Sequence, residues 1–319
     1  SRLLTSLSYL VQSLWWLVRH RREYDVIHCH QSYAPATIGI LAKLLLRKPV
    51  LVKISTADEF SERRELGRLP LTTLRWHLLR RVDRFVAVNP LATREFAAMG
   101  ILLSRITHVP NGVPLYAEVA FDHSVKQAAK ARLGLRWRQI VLFVGRLSSE
   151  KNLSTLIEAW PQVLRQHPEA HLCLVGDGGT FRSVEPELRH QVKAAGLDGC
   201  VHFIGRVADV QDYLLAADIF VLPSRTEGMS NALLEAMAAG VAVVATRIPG
   251  NAALIRDADE GMLVERADAD GLAAAINRLL HSPEEAKRMA QAARRRVEER
   301  FTIERVGEAY RALYHELVE

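Results

Sequence analysis

The chain of 319 residues has few cysteines and no long apolar run. Cys29, Cys173 and Cys200 are far apart in the sequence, which excludes a disulfide framework and a cysteine-based zinc site. All three lie in apolar, strand-like segments, so we expect buried thiols in a reducing compartment. No segment reaches the roughly 20 apolar residues that a membrane-spanning helix needs.

Several catalytic signatures are missing as well. The sequence contains no Walker A loop and no G-x-S-x-G nucleophile elbow. The glycine-rich turn at 176–179 is not a dinucleotide fingerprint, because Phe181 stands where a third glycine is required. His28 and His30, two residues apart on one strand, share a face but are too few for a zinc site. We therefore expect no metal and no cofactor.

Positive charge is concentrated in the first part of the chain. Residues 1–138 contain 22 Lys or Arg and 10 Asp or Glu, whereas residues 139–319 contain 20 and 26. A basic half is typical of a protein with an anionic partner such as a membrane surface, although a solvated arginine-rich surface explains it equally well. Nucleic acid is not expected, because no known nucleic-acid module accompanies the charge.

Residues 3–18 carry leucines at alternating spacings of four and three, which predicts an amphipathic helix. Trp15 and Trp16, next to the basic residues 19–22, would suit a membrane interface. A helix that packs on a sheet explains the same leucines.

Apolar runs alternate with helical patterns along most of the chain, and they predict strands covered on both faces, as in parallel sheets. The predicted strands are 25–30, 49–55, 84–89, 105–109, 139–145, 171–176, 200–205, 218–223, 241–246 and 261–264. The fold class is therefore α/β, with two Rossmann-like, doubly wound domains. The N-terminal domain is incomplete, since it has four strands against six.

A turn cluster at 109–114 marks the domain boundary. We expect an N-terminal domain over 1–112, a linker over 113–138 and a C-terminal domain over 139–300. The amphipathic pattern of 301–319 predicts a terminal helix that crosses back to the N-terminal domain.

Two cations follow the first strand of the C-terminal domain, in the loop 145–152. Gly145 permits a tight exit from the strand, Arg146 and Lys151 follow, and Asn152 is suited to cap the next helix. Ligands bind outside the carboxyl ends of the strands in such sheets. Cations beside a helix N-terminus predict an anion site, unless they are simply exposed loop residues.

A second loop carries two glutamates eight positions apart. Glu227 lies at a strand-to-helix corner and Glu235 in the second turn of the helix, which Ser230 or Asn231 can cap. Gly228 permits close approach of a ligand. A carboxylate can accept two hydrogen bonds from a diol such as a ribose, although acids near a helix N-terminus also stabilise its dipole without any ligand.

Several motifs occur in a characteristic order: VGRLSSEKN, VGDGG, VHFIGRV and ADIFVLPSRTEGMSNALLEAMAAGVAVVAT. Together with DVIHCH and VPNGV, they resemble the family-four retaining glycosyltransferases of the GT-B fold. The resemblance covers residues 25–319 and is strongest over 139–246. It implies that the C-terminal domain binds a nucleotide sugar and that the N-terminal domain faces the acceptor.

The resemblance also implies roles for individual residues. Arg146 and Lys151 match cations that hold the diphosphate, and Glu227 matches the acid near the transferred sugar; these three are the expected catalytic residues. Glu235 matches the acid on the ribose. The expected donor-binding residues are Gly145, Arg206, Val207, Gly228, Met229, Ser230, Asn231 and Glu235, of which Arg206 and Val207 would lie against the base.

The sequence departs from the family pattern in three places. The opening strands, the Gly-Gly loop and an initiator Met are missing, which indicates a truncated N-terminal domain. Ser55 stands where many members carry a histidine. In the segment PGNAA, Ala253 replaces an acid, which is expected to alter contacts with the sugar.

The resemblance therefore predicts a hexosyltransferase-type enzyme that moves a sugar from a nucleoside-diphosphate sugar to a saccharide or a lipid-linked glycan, with retention and without a metal. We expect it in the cytoplasm or at the inner face of the membrane, in the synthesis of cell-envelope polysaccharide. Alternatives are a non-catalytic nucleotide-binding or scaffold module and a sugar-nucleotide epimerase.

Overall fold

A computed structural model describes residues 2–54, 72–179 and 183–319 of the chain. These residues divide into two compact units: unit 1 is Ser1–Asn111 with Glu304–Glu319, and unit 2 is Gly112–Ile303. Ser55 and Phe181, two positions of interest in the sequence, lie outside the described residues.

Unit 1 is built on a parallel sheet of four described strands in the order β1-β2-β3-β4. The strands are β1 Ile27–His30, β2 Val50–Ile54, β3 Arg84–Ala87 and β4 Ile106–His108. The helices are α1 Arg2–Arg19, α2 Ala34–Leu46, α3 Thr72–Leu79, α4 Pro90–Ala98 and α13 Ile303–Val318. Asn89 caps α4 by accepting a hydrogen bond from the Ala92 amide at 2.8 Å.

The two faces of this sheet are covered differently. On one face, Leu14 and Leu17 of α1 pack against the core that surrounds Phe85 and Phe96. These two leucines thus pack on the sheet, whereas Leu7, Trp15 and Trp16 are 60%, 64% and 51% exposed. On the other face, α13 contributes its buried Leu313.

Unit 2 contains a parallel sheet of six described strands in the order β7-β6-β5-β8-β9-β10. The strands are β5 Gln139–Val144, β6 Ala170–Val175, β7 Val201–Gly205, β8 Ile219–Leu222, β9 Ala242–Thr246 and β10 Met262–Val264. This is the doubly wound order of dinucleotide-binding domains, in which the direction of winding reverses between the first and fourth strands, here β5 and β8.

Eight α-helices connect and cover these strands in the described part of unit 2. They are α5 His123–Arg132, α6 Leu153–Gln166, α7 Glu185–Ala194, α8 Gln211–Ala216, α9 Asn231–Ala238, α10 Pro249–Ala252, α11 Ala269–His281 and α12 Pro283–Arg300. All ten predicted strands are present, and the prediction of an α/β fold with two Rossmann-like domains is confirmed.

The segment 113–138, which the sequence predicts to be a linker, is instead part of unit 2 and contains α5. Two of its lysines are paired within unit 2. The Lys126 Nζ lies 2.7 Å from the Asp218 Oδ1, and the buried Lys130 donates to the Arg138 carbonyl at 2.8 Å. The polar composition of the segment predicts a linker, because Asp218, the partner of Lys126, is distant in the sequence.

Candidate functional site

The crevice of unit 2 lies where the winding reverses, between the loops that follow β5 and β8. Residues 145–152 follow β5, and residues 223–230 follow β8. The Arg225 amide donates to the Glu150 carbonyl at 2.8 Å, and the Arg225 Nε donates to the Asn152 Oδ1 at 3.2 Å. The two loops are therefore joined directly.

A shielded ion pair lies at this junction. The Lys151 Nζ is 2.6 Å from the Glu227 Oε1, and the side chains are only 16% and 11% exposed. The Ser224 hydroxyl donates to the same oxygen at 2.7 Å. Removing two charges from water is costly, so such a pair is stable only with close contact and additional hydrogen bonds. Lys151 and Glu227, both predicted as site residues, are brought together here.

Lys151 ends a short 3₁₀ turn, Ser149–Lys151, just before α6. Asn152 occupies the N-cap position, but with φ 53° it makes no side-chain capping bond to the helix. The prediction that it caps α6 through its side chain is wrong, because this left-handed backbone places the amide oxygen on Arg225 instead.

Arg146 lies apart from that pair. Its guanidinium Nη2 is 2.9 Å from the Glu150 Oε1, and its side chain is 59% exposed. The cation therefore stands at the solvent side of the loop, whereas the Glu150 side chain that it contacts is only 13% exposed.

Three glycines end neighbouring strands: Gly145 at β5, Gly176 at β6 and Gly205 at β7. Their φ angles are 154°, 126° and 81°. A Cβ on Gly176 would lie 2.0 Å from the Gly145 carbonyl oxygen, and the Gly176 amide donates to the Gly205 carbonyl at 2.8 Å. Sequence reasoning treated residues 176–179 as a turn only. The recurrence of glycine directly after an apolar strand was the signal for this backbone contact.

The loop after β8 leads into α9. Ser230, one of the two predicted N-cap residues, caps α9, since its Oγ accepts a hydrogen bond from the Leu233 backbone amide at 3.3 Å. Asn231 is the first helical residue and is exposed, whereas Gly228 and Met229 are buried. The predicted residues from 228 to 231 thus form the entrance to a helix N-terminus, which favours negative charge.

The segment after β9 supports the loop that carries Glu227. This support was not predicted from the sequence. A Cβ on Gly250 would lie 2.2 Å from the Glu227 carbonyl oxygen. The Thr246 hydroxyl donates to the Ser224 carbonyl at 2.5 Å, and the Asn251 amide donates to the Thr246 carbonyl at 2.9 Å. The helix α10 therefore positions the backbone beneath Glu227.

Glu235 lies in the second turn of α9 and is half-buried. Burial, and to a smaller extent the charge of Asp209, raises the pKa of this carboxyl above its ordinary value. The same carboxylate contributes to the raised pKa of Tyr116, after burial. No cation is paired with Glu235 among residues 2–54, 72–179 and 183–319, so its oxygens are available as acceptors. Arg206 and Val207, which follow β7, are exposed and half-buried, respectively.

Replacing Glu235 with glutamine is expected to raise the melting temperature at neutral pH. A raised folded-state pKa means that the ionised carboxyl destabilises the fold above that pKa, and the penalty disappears below the ordinary value of 4.5. The advantage of the glutamine variant should therefore vanish as the pH falls below that value. Thermal unfolding at several pH values measures it, with the exposed Glu308→Gln as control. A glutamine variant that is less stable at neutral pH would contradict this reading.

The described residues contain no group of three or more His, Cys, Asp or Glu that could hold a metal ion. Within the same residues, no helix is both long enough and apolar enough to cross a membrane.

Comparison with known proteins identifies the family. A model described as "Glycosyl transferases group 1" matches residues 126–296, more than half of the chain, and one described as "Glycosyltransferase Family 4" matches residues 2–116. The lipopolysaccharide core biosynthesis mannosyltransferase LpcC of Rhizobium leguminosarum bv. viciae is 30% identical over 307 residues, 95% of this chain and 81% of that protein.

Other relatives are similar over comparable lengths. The N-acetyl-alpha-D-glucosaminyl L-malate synthase of Bacillus anthracis is 27% identical over 302 residues, 94% of this chain and 77% of that protein. The crystal structure of Anabaena HepE in complex with UDP and glucose superposes with a TM-score of 0.81 and 22% identity, over 94% of this chain and 80% of that one. The likeness to HepE concerns the fold.

These matches confirm the predictions of a GT-B fold and of an enzyme of the hexosyltransferase type. The chain belongs to the glycosyl transferases group 1 family.

Proposed function

We propose that this glycosyltransferase moves a hexose from a nucleoside-diphosphate sugar to a saccharide or lipid-linked acceptor, with retention of configuration and without a metal. The observation that carries the proposal is the shielded Lys151–Glu227 pair at the reversal point of the sheet. It puts a cation and an acceptor of hydroxyl hydrogen bonds at one position in a crevice where ligands bind.

The diphosphate would be held on the β5 side of the crevice. Breaking the sugar–phosphate bond develops negative charge on the leaving diphosphate, and fixed cations stabilise that charge most in a site with little water. Lys151 is such a fixed cation, one residue before the N-cap of α6. Arg146 exchanges Glu150 for phosphate oxygens, to which its planar guanidinium can donate two parallel hydrogen bonds. Gly145 keeps the loop backbone close to the ligand.

The sugar and the ribose would be held on the β8 side. Glu227 keeps its orientation through Ser224 and Lys151 and accepts from hydroxyls of the transferred sugar. Glu235 has no paired cation in the described part of the chain and accepts from the two ribose hydroxyls.

The remaining predicted residues complete the donor site. Gly228, Met229, Ser230 and Asn231 lead into the N-terminus of α9, whose dipole favours the negative diphosphate. Arg206 and Val207, after β7, would lie against the base.

Retention follows from a mechanism in which the acceptor attacks the face that the diphosphate leaves. The departing diphosphate then takes the proton of the acceptor hydroxyl, so no protein base is needed. The family-four match over residues 2–116 and the order of the motifs support this assignment. The two cations supply the charge that a metal ion provides in other transferases.

Relatives support the substrate classes. HepE binds UDP and glucose, and other relatives are, by name, mannosyltransferases of the lipopolysaccharide core and of phosphatidyl-myo-inositol. We propose that this chain also acts in the synthesis of envelope glycans, in the cytoplasm at the inner face of the membrane. Buried free thiols at Cys29 and Cys173 fit a reducing compartment.

A panel of nucleoside diphosphates and their nucleosides tests the donor site. We expect one diphosphate to raise the melting temperature by selective binding to the folded chain, and its nucleoside to do so far less. Arg146→Ala should weaken diphosphate binding in calorimetry while leaving nucleoside binding unchanged.

The matched control is Arg278→Ala, because Arg278 is also about half exposed and paired with one glutamate, Glu285, but lies on α11. Equal losses for diphosphate and nucleoside, or no stabilisation by any diphosphate, would refute the assignment. Turnover of a sugar nucleotide by the same preparation excludes a non-catalytic module.

A further inference from the structure

We propose that one end of unit 1 is a docking surface for an anionic lipid bilayer. We call it the strand-start face; it comprises the C-terminal ends of α1 and α2, residues 80–84 and the turn 102–105. This proposal deepens the suggestion of action at the membrane by assigning the surface and the lipid chemistry, and it does not depend on any donor or acceptor.

Topology brings these four segments to one edge. α1, α2 and α3 end at Arg19, Leu46 and Leu79, shortly before β1, β2 and β3, and the 3₁₀ turn Leu103–Arg105 leads into β4. Because the four strands are parallel, their starting ends lie along the same edge of the sheet.

Hydrogen bonds join the segments. The Arg105 Nη1 donates to the Arg80 carbonyl at 2.8 Å, and the Lys43 Nζ donates to the Arg81 carbonyl at the same distance. The end of α2, residues 80–84 and the turn 102–105 are thus joined directly, and the end of α1 lies at the same edge of the sheet.

Large apolar side chains project from this face into water. Leu44 and Leu45 are 52% and 67% exposed, and Leu102 and Leu103 are 64% and 66% exposed. Single exposed leucines are normal on protein surfaces. Here they occur as two adjacent pairs, at the end of α2 and in the turn before β4, with the exposed Trp15 on α1. Grouped exposed apolar residues mark an interaction surface.

Cations are in excess around these leucines. A cavity of about 540 Å³ on the face is lined by five cations and two carboxylates. Both carboxylates are already paired: Asp83 with Lys43 at 2.5 Å, and Glu316 with Arg84. The ends of α1 and α2 add Arg19, Arg21, Arg22, Arg47 and Lys48, of which Lys48 is paired with Asp25 at 3.2 Å.

The combination favours a bilayer over other occupants. A soluble phosphate would satisfy the cations but would leave the leucines in water. A second copy of the chain would cover the leucines but would bring like charges together. An anionic bilayer satisfies both, since headgroup phosphates attract Lys and Arg while leucines and tryptophan enter the boundary of the acyl chains.

Sedimentation with lipid vesicles tests the proposal. The full chain should bind vesicles of phosphatidylcholine with about one third phosphatidylglycerol and not vesicles of phosphatidylcholine alone, and added salt should weaken binding. The Leu102→Ser, Leu103→Ser double variant should bind at least about tenfold more weakly. The Arg80→Gln, Arg81→Gln double variant should bind the anionic vesicles about fivefold more weakly for each cation removed.

Matched controls come from unit 2, where Leu115→Ser and Arg136→Gln remove an exposed leucine and an exposed arginine. Both should bind as the parent does, and all variants should keep the parent's melting temperature and nucleotide binding. The proposal is overturned by equal binding to neutral vesicles, by parent-like binding of both double variants, or by release with inorganic phosphate at constant ionic strength. A concentration-dependent dimer without vesicle binding also overturns it.

Discussion

Replacing Lys151 with alanine is expected to lower turnover about 100- to 1000-fold, the usual effect of removing one fixed group that stabilises transition-state charge. The substitution removes the cation nearest the proposed position of the leaving diphosphate. It also leaves the Glu227 carboxylate, only 11% exposed, without its charged partner. We therefore expect a lower melting temperature as well as slower transfer. Steady-state kinetics with a saturating sugar nucleotide measures the first effect, and thermal unfolding the second.

A double variant separates the two effects. In Lys151→Ala, Glu227→Gln no unpaired charge is left, so the melting temperature should recover while turnover stays low. Recovery of turnover would show that Lys151 serves only as a partner of Glu227. The matched control is Lys126→Ala, since Lys126 pairs with Asp218 at 2.7 Å and these side chains are 18% and 24% exposed. Asp218 precedes β8, at the opposite end of the sheet, so this control should melt earlier yet retain the turnover of the folded enzyme.

The strands and the fold class could be predicted because each strand is a continuous apolar run that local sequence reveals. Residues 139–144 and 219–222, for example, are buried β-type segments whose pattern does not depend on any distant residue. Parallel pairing then follows from the alternation of strands and helices.

The partners of charged residues could not be predicted in the same way. Lys151 and Glu227 were both expected in the crevice, yet their ion pair joins residues 76 positions apart. It depends on β5 and β8 being neighbours, which no local pattern encodes. The segment 113–138 was misassigned as a linker for the same reason, because Lys126 pairs with Asp218, 92 positions away in the sequence.

The role of Gly250 illustrates a third limit. In sequence it belongs to the segment PGNAA, in which Ala253 in place of an acid was expected to alter contacts with the sugar. In the structure its importance is the absence of a side chain, because the Glu227 and Gly228 carbonyl oxygens lie 2.2 and 2.9 Å from where a Cβ would be. Such close approach between separate loops is a property of the assembled sheet.

Gly250→Ala is accordingly expected to reduce turnover about 100-fold, the effect of displacing a catalytic group by about 1 Å. The contact is with backbone, so the loop of Glu227 must move and its alignment with Lys151 is lost. Overpacking of this kind costs about 1–3 kcal/mol of stability. Turnover, diphosphate binding by calorimetry and the free energy of unfolding should be measured together.

Gly199→Ala is the matched control, because a Cβ at Gly199 meets nothing within 4 Å and its backbone is not in the left-handed region. It should keep parent turnover and stability. If Gly250→Ala folds and transfers sugar at the parent rate, the backbone of Glu227 does not need the support of α10, and the geometry of the Lys151–Glu227 pair is not what limits transfer. If turnover falls while unfolding is unchanged, the position of Glu227 controls the reaction directly, because the fold itself has then accommodated the added methyl group.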